Sequence, residues 1–140
     1  MAFYEQLGAI IAEGGGSAEN LIDGVTWVDD HAINSTGEIT AITDYRYSDL
    51  IPVTAGETYM LIYECVYNEE VVTRIHGYNS SGVWHSNFKS RITQDGYNNI
   101  DGIEFTVPSG VTHIRISTAM ISWAVAVRGL FVSDSIFIRE

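Results

Sequence analysis

The sequence predicts an all-β domain, and three observations support this prediction. The 140 residues include 13 Gly and 8 Tyr, with many Thr, Ser and Asn, a composition that favours strands joined by frequent turns. From residue 20 onward, short apolar runs alternate with turn sequences rich in Gly, Asn and Ser. One motif, Val-x-small-Gly-x-Thr-aromatic, occurs at residues 53–59 and again at residues 107–113.

Each copy of the repeated motif predicts a strand, a glycine turn and a second strand. Gly56 and Gly110 let the chain take a positive φ, while the flanking Val and Thr residues suit extended backbone. The two copies therefore predict two related corners of one sheet protein.

The first 19 residues differ from the rest and predict a short helix followed by a Gly-rich linker. The apolar residues at helical spacing are Phe3, Leu7, Ile10 and Ile11. Residues 14–17 (Gly-Gly-Gly-Ser) end the helix in a flexible joint. The helix either packs on its own domain or attaches the chain to another protein. We interpret residues 1–19 as an anchor and residues 20–140 as one β-domain, because a triple-glycine joint is wasteful for simple packing.

The remaining elements follow in order along the chain. Apolar runs predict strands at residues 25–33, 39–42, 59–67, 71–78, 83–84, 103–107, 112–118, 121–127 and 130–138. Residues 44–49 read as a polar and aromatic stretch, residues 86–101 as a polar segment with loop signals, and Arg128-Gly129 as a break. About nine or ten short antiparallel strands are typical of a jelly-roll β-sandwich, with another antiparallel sandwich or an open barrel as the alternative.

The charge limits the classes of partner. The formal net charge is -11 and Lys89 is the only lysine, which argues against nucleic acid and against anionic membrane surfaces. An acidic surface favours neutral or cationic ligands over anionic ones. No apolar run is long enough to insert into a membrane and no secretory signal is present, so we expect synthesis in a cytoplasm. Cys65, the single cysteine, is expected to be a buried thiol.

An ordered set of landmarks resembles a known family. Its parts are residues 20–23 (Asn-Leu-Ile-Asp), 34–38 (Asn-Ser-Thr-Gly-Glu), 47–53, 56–59, 77–84 and 105–117. Together they resemble the carbohydrate-binding-module-like jelly-roll domains in tail, baseplate and head-fibre proteins of phages and prophages of Gram-positive bacteria. The resemblance covers residues 20–117, and residues 1–19 lie outside it.

The resemblance implies a phage virion accessory protein, made in the host cytoplasm, that binds host cell-wall carbohydrate and aids adsorption. It also implies that residues 1–19 contact other virion proteins. The symmetry usual in fibre proteins makes a homo-oligomer, first a trimer, the expected state. The alternative is a purely structural capsid decoration, head-fibre or baseplate subunit that binds no sugar.

Carbohydrate binding needs aromatic faces together with planar polar side chains. The best candidates in polar surroundings are Trp84, His85, Tyr97 and Asn98. Two further clusters, residues 45–49 and Trp27 with residues 29–31, contain the same residue types. The alternative for each aromatic residue is packing in the core or at its rim.

Catalysis and metal binding have little support in the sequence. No His or Cys pair has the spacing of a zinc site, so no metal ligands and no cofactor are assigned, although loop carboxylates and carbonyls could hold a structural calcium ion. No nucleophile elbow or phosphate-binding loop is present. The sequence therefore predicts a protein that is not an enzyme.

Overall fold

The computed structural model describes residues 19–65, 70–93, 100–120 and 124–133, and this part of the chain is all-β. Its nine antiparallel strands are β1 (Trp27–Ile33), β2 (Ile39–Ser48), β3 (Ile51–Pro52), β4 (Thr58–Cys65), β5 (Val71–Tyr78), β6 (Trp84–Thr93), β7 (Ile100–Thr106), β8 (His113–Ala119) and β9 (Val125–Val132). The all-β prediction is confirmed. The predicted helix and linker, with Phe3, Leu7, Ile10 and Ile11, lie outside the described residues.

The nine strands form two sheets. The larger sheet has the order β1-β2-β8-β5-β6. Strand β8 pairs with β2 at residues 117–119, and it pairs with the short strand β3 at His113 and Ile114. The smaller sheet has the order β7-β4-β9, so the long apolar strand β4 is central. All pairings are antiparallel.

One apolar core takes side chains from both sheets. Alternate residues of β4, β7 and β8 point into it, and the large members that are at most 2% exposed are Ile51, Leu61, Tyr63, Ile75, Ile103, Ile114, Ile116 and Leu130. Each such side chain stabilises the fold by about 1.5–3 kcal/mol through burial. Cys65 is a buried thiol within the same core, as predicted. The jelly-roll sandwich stays a prediction.

The two copies of the repeated motif lie side by side. Gly56 and Gly110 have φ values of +86° and +89°, which confirms the positive-φ turns. The Gly56 amide donates to the Val107 carbonyl at 2.8 Å, and the Val107 amide donates to the Glu57 carbonyl at 3.0 Å. The corners therefore join β3, β4, β7 and β8 through hydrogen bonds between the copies.

Three sequence-based boundaries are wrong. Residues 44–48 continue β2, residues 86–93 continue β6, and Arg128-Gly129 lies inside β9. In β2 and β6, the described polar side chains other than the buried Ser48 occupy exposed or half-buried positions, so the polar pattern marks accessible strand rather than loop. In β9, the ladder with β4 skips Arg128, so this residue forms a bulge instead of ending the strand.

Candidate functional site

The hairpin formed by β1 and β2 bends at two aspartates. Asp30 and Asp44 have φ values of +59° and +67°, a left-handed conformation that few residues other than glycine adopt. Asp30 Oδ1 accepts a hydrogen bond from the Asp44 amide at 3.2 Å, and the β1–β2 register shifts at the same point. Strand β2 pairs with β8 only after the bend, at residues 45–47. Residues 31–42 therefore leave the sheet, and we name them the hairpin tip.

The hairpin tip is attached to the larger sheet on the face opposite the core. The Ile33 amide donates to Ser117 Oγ on β8 at 3.0 Å, and Ile33 itself is 1% exposed. The turn at the end of the tip is held by Asn34, whose Oδ1 accepts from the amides of Thr36 and Glu38 at 2.9 and 3.0 Å. The tip is thus a fixed layer over β8 and β5.

Trp84 is the second attachment of the hairpin tip. A β-carbon built on Gly37, in the turn of the tip, would lie 2.6 Å from the Trp84 ring, so the indole packs directly on the glycine backbone. The indole N–H donates to His76 Nδ1 on β5 at 3.0 Å. The ring is half-buried, and its position depends on Gly37 and His76.

His76 is fully buried beneath this contact. Burial is the main cause that lowers its pKa to about 4; the charge of Arg74 lowers the pKa further, while an interaction with the Ile33 backbone opposes the shift. The imidazole is therefore neutral at ordinary pH. Its unprotonated Nδ1 is the acceptor that Trp84 needs.

A cleft of about 330 Å³ lies between the hairpin tip and the larger sheet. Its walls are the apolar side chains of Ile33, Ile42 and Val72 and the ring of Tyr45. The Tyr45 hydroxyl accepts a hydrogen bond from the Val72 amide at 3.3 Å, which orients the ring. We name this space the hairpin cleft.

The polar side chains that line the hairpin cleft are Arg74, Asn34 and Ser117. Asn34 uses its oxygen within its own turn, so its amide N–H groups can donate to a ligand. The half-buried residue Arg74 brings a guanidinium, and the buried Ser117 brings a hydroxyl. The hairpin cleft therefore combines apolar walls with hydrogen-bond donors.

A second polar group lies on the same face of the larger sheet, around Arg115. Its guanidinium carbon is 5.1 Å from the centre of the Tyr78 ring and 5.6 Å from that of Tyr47. Burial raises the pKa of the Tyr78 phenol, and Arg115 opposes this by its charge and a hydrogen bond. Arg115 also lies 3.8 Å from Asp49, which is mostly exposed. Because both rings already contact the guanidinium, this group is a less open sugar platform than the hairpin cleft.

The structure separates two of the four residues that the sequence predicts as sugar ligands. Trp84 contacts Gly37 of the hairpin tip, whereas the exposed His85 lies 3.4 Å from the β-carbon position of Gly110 at the second corner. The ladder between β5 and β6 skips His85, since Tyr78 pairs with Trp84 and Gly77 pairs with Ser86. Tyr97 and Asn98 lie outside the described residues. The role of all four in sugar binding stays a prediction.

Sequence reasoning missed three polar residues of the hairpin cleft: Arg74, Asn34 and Ser117. A signal for Arg74 was present, since an arginine inside the apolar run Val-Val-Thr-Arg-Ile is unusual in a chain with 7 basic residues. Asn34 and Ser117 carried no such signal. They reach the cleft only because the hairpin bends.

Two further features are absent from residues 19–65, 70–93, 100–120 and 124–133. There, no group of three His, Cys, Asp or Glu side chains is placed to hold a metal ion. No helix in this part of the chain is long and apolar enough to cross a membrane.

Comparison with known proteins gives a weak structural likeness to a phage protein. No protein-family model matches the chain, and no curated protein matches it significantly. Among solved structures, the chain is similar to the enzymatically active domain of tailspike protein 4 of bacteriophage CBA120, with a TM-score of 0.44 and 14% identity. The match covers 76% of this chain but only 17% of the tailspike chain.

The prediction that this chain is not an enzyme is corrected by this comparison. The matched solved structure is described as an enzymatically active domain, which contradicts the exclusion of catalysis from sequence patterns alone. The exclusion rested on missing motifs, and a pair of catalytic carboxylates has no fixed spacing in sequence that such a search would find. At this TM-score, the likeness assigns no activity to the chain.

Proposed function

We propose that this chain is a phage virion module that binds carbohydrate on the host cell surface, with the hairpin cleft as the sugar site. The observation that supports the proposal is the lining of the cleft. Apolar walls from Ile42, Val72 and the Tyr45 ring suit the apolar face of a pyranose, and the donors of Asn34 and Arg74 suit its hydroxyls.

The size of the hairpin cleft fits a short ligand. Its volume of about 330 Å³ lies at the lower end of the range of small-molecule sites, about 300–1,000 Å³. One sugar residue with its neighbours outside the cleft is the expected occupant. A site of this size binds weakly, and many copies on one particle would supply avidity.

Display on a virion is the second part of the proposal, and it rests on the ordered landmarks described from the sequence. Residues 1–19 would attach the chain to other virion proteins and to copies of itself, first as a trimer. Removal of residues 1–16 tests this part. Loss of both the oligomer and virion incorporation is expected, and persistence of both would refute the anchor.

The sugar site is tested by closing the cleft in the full chain. Ile42 is 42% exposed and lines the cleft, so Ile42→Trp should fill it without disturbing the core. Ile39→Trp is the matched control, because Ile39 is 46% exposed on the same strand and does not line the cleft. We expect Ile42→Trp to abolish binding to host cell walls or arrayed glycans, and Ile39→Trp to retain it.

The same assay tests the residues that the sequence predicted. If His85→Ala, Tyr97→Ala or Asn98→Ala abolishes binding and Ile42→Trp does not, the sugar site is at those residues instead. If the full chain binds no glycan but still joins the virion, carbohydrate recognition is wrong and the structural subunit remains. New reducing ends in the glycan after incubation would reveal hydrolysis.

A further inference from the structure

We propose that the hairpin cleft selects an anionic sugar, one that carries a carboxylate or a phosphate, and that Arg74 binds the anionic group. This inference rests on the proposed function and specifies the class of ligand for the same site. It is opposite to the preference for neutral or cationic ligands that the whole-chain charge of -11 predicts.

Arg74 differs from the other arginines of the described residues by its lack of a partner. Arg115 is 3.8 Å from Asp49, and Arg128 donates to Glu64 at 2.7 Å. Arg91 donates to the Gly102 carbonyl at 2.9 Å, and the Arg46 guanidinium lies 4.2 Å from the centre of the Trp27 ring. In the described part of the chain, Arg74 has no such interaction. Its guanidinium is therefore available to a ligand.

The described residues that line the hairpin cleft beside Arg74 include donors and no acid. Among them there is no Asp or Glu, and the other polar side chains are Asn34 and Ser117. Because Asn34 Oδ1 already accepts from its own turn, the amide contributes N–H groups to the cleft. A carboxylate or phosphate only accepts hydrogen bonds, and the planar fork of an arginine matches two of its oxygens.

The negative charge of the whole chain does not cancel this local preference. At physiological ionic strength, exposed charges beyond about 8 Å are largely screened, so the nearest charge decides the selectivity of the site. Among the described residues, Arg74 is the charged side chain that lines the cleft, and the neighbouring His76 is neutral at ordinary pH. The remaining acidic surface slows the approach of anions rather than determining which sugar fits.

The test compares matched probes on the full chain by NMR titration. The probes are galactose, galacturonic acid, which carries a carboxylate at the same ring, and glycerol 1-phosphate, which carries a phosphate without a ring. The variants are Arg74→Gln, Arg74→Lys and Lys89→Gln. The last removes the same charge at an exposed position outside the cleft.

We expect at least one anionic probe to bind roughly tenfold or more tightly than galactose, since a hydrogen bond to a charged group is worth more than a neutral one. Arg74→Gln should remove this difference, Arg74→Lys should keep part of it, and Lys89→Gln should keep all of it. Stronger binding of galacturonic acid would identify a uronic acid as the ligand class. Stronger binding of glycerol 1-phosphate would identify a phosphate as the anionic group of the ligand.

Equal binding of galactose and both anions, or a preference that survives Arg74→Gln, would overturn the inference. In that case, cell-wall binding that Ile42→Trp blocks would still support the proposed function. Failure of all three probes would also overturn the inference, whereas loss of cell-wall binding altogether would refute the proposed function itself.

Discussion

The Trp84 indole lies so close to Gly37 that a β-carbon at that glycine would be 2.6 Å from the ring. Gly37 and Gly82 occupy equivalent places in two related turns, in which Asn34 and Asn79 each accept two backbone amides through Oδ1. Trp84 follows the second turn and packs on the first. This contact connects β6 with the hairpin tip, whose residues Ile33, Asn34 and Ile42 line the hairpin cleft.

The first prediction concerns Gly37→Ala. Its φ of +89° costs an alanine about 1–2 kcal/mol, and overlap with Trp84 adds to this, so we expect a loss of about 3 kcal/mol in the free energy of unfolding. Gly82→Ala is the control, because its φ is +77° and no atom lies within 4 Å of the β-carbon position. Urea denaturation measures both, and equal losses would show that the Trp84 contact contributes nothing.

The second prediction concerns the pH dependence of the free energy of unfolding that is caused by His76. Its pKa is lowered to about 4 in the folded state from the ordinary value of 6.5, so the unfolded chain binds more protons between these values. The contribution of the neutral, buried His76 to stability is therefore fully present above pH 6.5 and is lost as the pH falls through 4. After allowance for solvent screening, we expect this loss to lower the free energy of unfolding by about 2 kcal/mol.

His76→Gln should remove this contribution to the pH dependence, and His85→Gln, at an exposed histidine, should leave it unchanged. Urea unfolding at several pH values between 4 and 7 measures the three proteins. Parallel stability curves for the native chain and His76→Gln would contradict the prediction.

The third prediction concerns two buried hydroxyls in the larger sheet. Thr73 Oγ1 and Thr118 Oγ1 are 2.7 Å apart, and both residues are at most 1% exposed. Thr73→Val leaves the Thr118 hydroxyl buried without its partner, which should cost about 1–3 kcal/mol. The double variant with Thr118→Val should cost less than the sum of the single changes. A double-mutant cycle in urea measures the coupling, and additive losses would argue against the hydrogen bond.

The fourth prediction concerns the bend of the hairpin. At a φ of +67°, Asp44→Gly should relieve backbone strain and keep or raise stability by up to about 1 kcal/mol. Asp44→Val places a β-branched side chain in the same conformation and should cost about 1–2 kcal/mol. Thermal unfolding distinguishes the two variants. A larger loss with glycine than with valine would show that the bend does not need left-handed backbone.

The cleft could not be predicted because its parts are far apart in the sequence and lie on different strands. Tyr45 belonged to a cluster noted from the sequence, but Arg74 and Ser117 stand in strands that read as ordinary sheet. The bend depends on Asp30 and Asp44, two residues whose left-handed backbone is not encoded by a glycine. Local pattern cannot reveal a hairpin that leaves its sheet.

The sequence by itself determined the strand-and-turn character of the described residues between 20 and 133, the two glycine corners and the burial of the Cys65 thiol. These follow from side-chain alternation and from the freedom of glycine, which act over a few residues. Tertiary structure decided the pairing of the two corners, the packing of Trp84 on Gly37 and the position of Arg74 in a cleft without acids. Those properties depend on which distant residues meet, so the local charge at the cleft is opposite to that of the whole chain.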